Sequence, residues 1–526
     1  MAVDNNGNVL AEGYGCTRIG ADSLYGELFV TKVDSAGNFL WATGTRNSSA
    51  TEVGIATDAA GNIYALGVYQ AYSSTMTIGT ITLPGYYGLQ AYFLWKISPT
   101  GSVIWAKEVT ANNGGPTYYY GGIGVDAACN VYLTGEFNTA LDTLGTFVFS
   151  NNSVTNEFDA FVAKYDSSGN PVWAKSFGGS ANDFTYAMAV SAEGNVYVTG
   201  QYESDTMNIS GVNLINPMYA TKSMSYLAKF DSSGNLGWAK NISRVIGING
   251  LKTDKYENLY MTGYVDSFYI LANDTLTCTG LKDIFIAKYS NTGTAIWATS
   301  AGGAYTDQGY NIDVDTCGNI WVCGAMGGGA LAPGLPYSIT LQGHMLNTPP
   351  GDNDPAFIVE YSDTGTYITG MALGSGADDQ VGIAVDNRGN LYICADYEDS
   401  TLVIANDTLR VGIAYGNPEF FYIAKYNYGS VTCVNTAGVN QVAPPSSGII
   451  LYPNPATYEC TISADAPFPV NARAYLYDIT GRLINSFALS GNSAVFSVAG
   501  LSPGIYECRI ETAGNNIVVK KVVVMK

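Results

Sequence analysis

Residues 159–200 read DAFVAKYDSSGNPVWAKSFGGSANDFTYAMAVSAEGNVYVTG, and four short apolar runs can be cut from them. Phe161-Val-Ala-Lys-Tyr165 alternates and is rich in aromatic and β-branched side chains, the pattern of a half-buried strand. Asp166-Ser-Ser-Gly-Asn170 supplies turn chemistry, because Gly tolerates positive φ and Asp bonds its own backbone. Pro171-Val-Trp-Ala-Lys175 is the returning strand. A Gly-Gly-Ser-Ala-Asn-Asp connection follows. Ala187-Met-Ala-Val190 and Val196-Tyr-Val-Thr199 then flank a second turn, Ser191-Ala-Glu-Gly-Asn195. Two hairpins in succession predict a four-stranded antiparallel sheet.

The second turn sets a register for the whole chain. It starts at Asp4, Asp58, Asp126, Ser191, Asp254, Asp315 and Asp386, with spacings of 54 to 71 residues. In six copies an Asn four residues on is followed by an aliphatic and an aromatic residue, as in Ile63-Tyr64, Val131-Tyr132 and Ile320-Trp321; the first copy has Val9-Leu10. The Lys-bearing strand recurs at Lys32, Lys96, Lys164, Lys229, Lys288 and Lys425, with Glu360 in the sixth copy. The Trp strand recurs at Trp41, Trp105, Trp173, Trp238 and Trp297, with Thr369 in the sixth. Seven such units predict a seven-bladed β-propeller, in which radial repetition hides sheet edges. The small residues of GIGVD and GIAVD suit the crowded innermost strand, and the Trp strand is expected outermost. The recurring Tyr, Trp and Lys are read as blade-to-blade packing and fixed ion pairs. Blades two to seven carry a longer segment between their second and third strands, read as an extra hairpin, while blade one is compact.

The pattern AVD..GN.Y.TG … DAFVAKYD.SGN..WA … GG resembles the SBBP-type β-propeller repeats of secreted bacterial proteins, over about residues 2–435. The resemblance implies a fold, and no particular chemistry. A second resemblance lies at the C-terminus. Tyr452-Pro453-Asn454-Pro455-Ala456, the Asp-Ile-Thr-Gly481-Arg482 turn, Leu501-Ser-Pro503-Gly504-Ile-Tyr506 and the terminal Lys520-Lys521-Val-Val-Val-Met-Lys526 are similar to the C-terminal sorting domain of the type IX secretion system. That implies recognition by the type IX machinery through residues 449–526, passage across the outer membrane, and a secreted or surface-attached product. Alternating strands with short turns suggest a small β-sandwich there.

Composition narrows the functions. The chain has 526 residues, 47% apolar and 13% charged, and is globular. Its net charge of −20 opposes nucleic-acid binding, and no apolar run reaches transmembrane length. It opens inside an innermost strand without a signal peptide, so an upstream segment is expected to be missing. The nine cysteines lack metal-site spacing; Cys317 with Cys323, and Cys460 with Cys508, are candidate pairs, buried free thiols the plainer reading. His344, the single histidine, lies in the Gly- and Pro-rich insert of blade six and reads as an exposed loop residue.

No catalytic residue stands out. Paired carboxylates alone could serve a polysaccharide hydrolase, but no pair is singled out. The Asp166 turn superficially resembles the Asp box of sialidases, yet its Asp stands three residues before Gly rather than two. Asp4-Asn-Asn-Gly-Asn8 has oxygen ligands at calcium-loop spacing but lacks the downstream Glu, so no cofactor is expected, with Ca²⁺ the one candidate. Asp183, Asp307 and Asp378 each lie eight residues before the turn start of their repeat, in the connection expected to face the central axis. They could bind a cation or a polar ligand; the simpler reading is that each caps its own loop. Tyr118 and Tyr119 lie in the same kind of connection and suit sugar stacking or protein contact.

The reading is therefore all-β: a seven-bladed β-propeller over residues 1–435, a linker over 436–448 and a β-sandwich sorting domain over 449–526. The expected function is non-catalytic binding or adhesion to an extracellular glycan or protein. The alternatives are a polysaccharide hydrolase or lyase using carboxylates of the axial pocket, and a structural surface-layer protein.

Overall fold

The computed structural model describes residues 1–526 apart from 15–16, 20–21, 25–27, 47, 72–74, 85–89, 110–120, 140, 152, 154–156, 218–222, 244–245, 273, 329–336, 349–354, 374–380, 387, 398–400, 405–406, 411–419, 428–448, 453–457, 465–466, 470–471, 479–481, 503, 512–516 and 525–526. The chain divides into two units, Met1–Val434 and Asn435–Lys526, and the described residues of both are strands and turns without helix.

The first unit is propeller-like. Among the described residues, seven antiparallel meander sheets follow one another. The third is representative: Gly122–Val125, Val131–Phe137, Asp159–Tyr165 and Pro171–Phe177 pair in chain order. The quoted stretch 159–200 thus straddles two sheets. Its first hairpin closes the third, and its second opens the fourth, where Val196–Tyr202 pairs with Met224–Phe230. The seventh sheet shows three strands, Gly382–Val385, Asn390–Tyr397 and Phe420–Asn427.

The extra hairpins are present, and the first sheet has one too, Thr17–Ile19 with Asp22–Leu24, contrary to its expected compactness. Its strands of three residues are too short to show alternation. His344 begins the second strand of the sixth hairpin, His344–Asn347, rather than lying in a loop, and stacks on Tyr367 at 4.6 Å. Some hairpins also cover the outer edge of the preceding sheet. Thr75–Ile78 of the second pairs with Phe39–Arg46 of the first, and isolated bridges join Gly178 to Asn208 and Gly302 to Thr340. Covering an edge in this way removes a template for aggregation.

The turns behave as their residues dictate. At Asp166, Oδ1 accepts the amides of Ser168 (2.9 Å) and Asn170 (2.8 Å), Oδ2 accepts the Asn170 amide group (2.9 Å), and Gly169 takes φ +78°. The inner turns repeat this at Asp4, Asp58, Asp126, Asp254, Asp315 and Asp386.

Adjacent sheets are clasped by the recurring Trp and Lys. The indole N–H groups of Trp41, Trp105, Trp173, Trp238 and Trp297 donate to Pro99, Ser167, Ser232, Asn291 and Asp363 carbonyls in the outer turn of the next sheet. Lys32, Lys96, Lys164, Lys229 and Lys288 reach the same five carbonyls. Lys425 of the seventh sheet reaches Ser35 of the first at 3.1 Å, and Tyr392 donates to the Gly7 carbonyl at 3.2 Å, so the last sheet meets the first through the same Lys contact that the first five sheets make with their successors. In the sixth sheet Glu360 and Thr369 stand in place of the Lys and the Trp.

The second unit has a sheet of Ile449–Tyr452, Glu459–Ala464 and Ser493–Ser497, and a sheet of Leu483–Ala488, Arg473–Tyr477, Gly504–Glu511 and Ile517–Val524. Cys460, Ile462, Leu476, Phe496, Cys508, Ile510 and Val522 fill its core. Neither candidate cysteine pair forms. Cys460 and Cys508 are buried free thiols, burial and the neighbouring Cys460 pushing Cys508 up to about 12. Cys323 is also free and buried, its thiol aimed at the Val381 carbonyl, whereas Cys317 is disulfide-bonded.

Candidate functional site

The innermost strands of all seven sheets line one cavity of about 670 Å³. Residues 2–3, 55–57, 123–125, 188–190, 251–253, 311–313 and 383–385 form its wall, and the turn residues Ala192, Glu193, Asp254 and Lys255 its rim. Each innermost strand ends its sheet, so one edge of its backbone is unpaired within that sheet.

One position on that wall is small in five sheets: Ala2, Ala56, Gly124, Ala189 and Ala384. In the neighbouring fifth and sixth sheets it is Lys252 and Asp313, which pair at 2.8 Å. The Lys252 side chain is 46% exposed and that of Asp313 8%. Asp313 Oδ1 also accepts the Val314 amide and Oδ2 the Val385 amide, both at 2.9 Å. At the rim, Asp254 is spent on its own turn, accepting from the Tyr256 and Asn258 amides, the Asn258 side chain and the Tyr260 hydroxyl.

Asp183 and Asp307 are not on this wall. Both are fully buried near the opposite ends of their innermost strands, because a carboxylate there satisfies donors that the connection would otherwise strand. Asp183 accepts from the Ser204 hydroxyl (2.9 Å) and amide (3.3 Å). Burial, with the Asp159 charge adding, pushes it up to about 8. Asp307 accepts from the Gly303 (2.7 Å) and Gly327 (2.9 Å) amides and is pushed up to about 6 by burial, with Asp283 adding. Asp378, Tyr118 and Tyr119 lie outside the described residues. In the connection that holds Asp183, Phe184 and Tyr186 lie nearly parallel, centroids 6.3 Å apart, and Tyr186 reaches Gln201.

Of the sorting motif, Tyr452 ends a strand, Gly504 starts one, and Lys520 and Lys521 pair with Cys508 and Glu507. Pro453, Asn454, Pro455, Gly481 and Pro503 lie outside the described residues. Residues 450–525 match the secretion system C-terminal sorting domain. The chain carries this domain at its C-terminus. The sorting domain marks the chain for type IX export to the cell surface or the medium. No helix among the described residues is long and apolar enough to cross a membrane.

The chain also resembles other proteins more distantly. An uncharacterized WD repeat-containing protein of Acanthamoeba polyphaga mimivirus is 29% identical over 184 residues, 30% of this chain and 13% of its own length. The regulatory protein FlaEY of Caulobacter vibrioides is 26% identical over 109 residues, 21% of this chain and 11% of its own. The chain therefore spans little more than a tenth of these relatives. Among solved structures, PorZ, a surface component of the type-IX secretion system of Porphyromonas gingivalis, aligns with 95% of this chain and 63% of its own, at 12% identity and TM-score 0.31. A protein of unknown function from Dyadobacter fermentans aligns with 73% and 98%, at 9% identity and TM-score 0.35.

One polar feature escapes a reading repeat by repeat. The fourth sheet has Ser191 where the others have Asp, and the carboxylate comes instead from Glu257 of the fifth sheet. Glu257 Oε1 accepts from Ser191 Oγ (2.7 Å) and from the Asn195 side chain, and Oε2 pairs with Lys229 at 3.2 Å. Burial opposes its charge, but these partners hold Glu257 below the usual carboxylate range. It does so from a position that is Gly in most copies, at φ +60°, where a side chain is strained. Glu257→Gly should therefore cost about 1–2 kcal/mol in the natural chain, and little or nothing in Ser191→Asp, where the local carboxylate is restored. Urea unfolding of the four combinations measures this coupling.

Proposed function

We propose that the chain is an exported, non-catalytic binding module, the seven sheets being seven blades of one closed ring that engages an extracellular glycan or protein. The observation that carries this reading is the state of the carboxylates in the axial cavity. Asp313 is held as a carboxylate by Lys252 and two amides and Asp254 by its own turn, which leaves Glu193 at the rim as a single carboxylate, whereas acid–base hydrolysis needs a pair whose protons are free to move to and from a substrate. The sorting domain supports an extracellular ligand. The cavity and the Phe184–Tyr186 rings supply concave and aromatic surface of the kind that binding sites use.

The test is incubation of the purified full chain with insoluble polysaccharides and with surface-protein extracts. Retention on one of them without release of new reducing ends or of unsaturated products is the expected result. Steady release of either would replace the binding module by a hydrolase or lyase.

A further inference from the structure

The column of small residues at the axis is broken twice, in adjacent sheets, by side chains of opposite charge that find each other at 2.8 Å. Closing the ring does not require this, since Ala or Gly occupies the position in the other five sheets. Stability does not ask for it either, because a half-exposed ion pair contributes little after desolvation and side-chain ordering. We propose that Lys252 and Asp313 form a saccharide subsite in the axial cavity, taking a neutral pyranose residue through two neighbouring hydroxyls. The proposal rests on the reading of the chain as a binding module and deepens it.

Unspent hydrogen-bonding capacity supplies the argument. An ammonium has three donors, and Lys252 spends one on Asp313. A carboxylate has about four acceptor sites, and Asp313 fills three, with Lys252 and the Val314 and Val385 amides. Two donors and one acceptor therefore remain side by side. Adjacent hydroxyls of a sugar ring ask for this combination, one oxygen accepting from Nζ while the next O–H donates to the carboxylate. Asp313 is fixed by two backbone amides, so the acceptor is already placed before any ligand arrives. Val3, Ile123, Val125 and Val190, each partly exposed, give the same cavity apolar surface against which the C–H face of a pyranose can lie. A volume of about 670 Å³ holds a sugar residue or two.

Charge selects among sugars. The chain carries −20, and Glu193 and Asp254 stand at the rim. Lys252 is already neutralised by its partner, so no net positive charge invites a uronate, sialate or sulfate.

The experiment is an array of neutral and acidic oligosaccharides probed with the full chain and with the double variant Lys252→Ala, Asp313→Ala. That variant writes the repeat's own residue at both positions, so the fold is kept and no lone charge is left, as its circular dichroism and urea midpoint should confirm. The natural chain should bind neutral oligosaccharides, and the double variant should lose at least tenfold in affinity. Lys252→Met, which leaves the Val314 and Val385 bonds of Asp313 in place, should lose a similar factor. Undiminished binding by the folded double variant would overturn the subsite while leaving the binding module standing on another surface. Binding confined to acidic sugars would overturn the neutral class. A natural chain that retains no sugar, yet is retained by a surface protein, would overturn the subsite alone.

Discussion

Trp173→Ala should lower the stability of the propeller-like unit by about 3–5 kcal/mol, the range for truncating a buried aromatic side chain to Ala. Trp173 is 7% exposed and belongs to the core shared by the third and fourth sheets. Its ring meets Tyr132 edge-on at 6.1 Å. It also lies so close to Gly234 of the next sheet that a Cβ there would sit 2.7 Å from the indole, so the neighbour cannot close on the hole. The indole N–H bond to Ser232 is the smaller part of the loss, because Lys164 reaches the same carbonyl at 3.0 Å. Trp173→Phe, which keeps most of the ring and loses the donor, should therefore cost nearer 1–2 kcal/mol. Urea midpoints of the two variants separate packing from hydrogen bonding. A loss below about 1 kcal/mol for Trp173→Ala would mean that the clasp does not hold the sheets together.

The Trp clasp is legible in the sequence, and the reason is local. Trp, Lys and the D..GN turn recur at fixed offsets, and each turn is made by its own residues, Asp166 accepting from Ser168 and Asn170 without outside help. What crosses between sheets is less legible. Nothing near Ser191 announces that its missing carboxylate stands 66 residues away at Glu257, although a Glu in place of the turn Gly is a signal once the copies are aligned. The Lys252–Asp313 pair shows as a break in the small-residue column, but only the folded chain brings the two side chains together. The regular spacing of Asp183 and Asp307 is real, yet it marks an interior corner rather than the axis. There the Gly-Gly dipeptide is the overlooked companion. A Cβ at Gly178 would meet Asp159 Cγ at 2.3 Å, and one at Gly302 would meet Asp283 Cγ at 2.4 Å. The same three features, Asp at the head of the third strand, Gly-Gly after the fourth and Asp just beyond, occur together at both corners.

Those corners make stability depend on pH in an unusual direction. Asp183 is raised from its ordinary 3.8 to about 8, by burial first and by Asp159 after it. The folded chain therefore keeps a proton that the unfolded chain has released between about pH 4 and pH 8. Its destabilising contribution is absent below the unfolded value, grows as pH rises and levels off above the folded value, the reverse of a salt-bridged carboxylate. At the usual ~1.4 kcal/mol per pH unit, the full loss between the two values is on the order of 6 kcal/mol. Glu136, wholly buried, is pushed the same way by its desolvation. Asp183→Asn removes the titration while its side-chain carbonyl can still accept from Ser204. The variant should match the natural chain near pH 4.5, exceed it by about 4 kcal/mol at pH 8, and show the shallower slope between. Urea midpoints measured every half pH unit decide the matter. Self-repulsion of a strongly acidic protein also grows with pH, but it acts on both chains alike, so only the difference in slope speaks for the buried corner. Parallel profiles would place the proton elsewhere, and Asp159→Asn then tests whether its partner in the pair carries it instead.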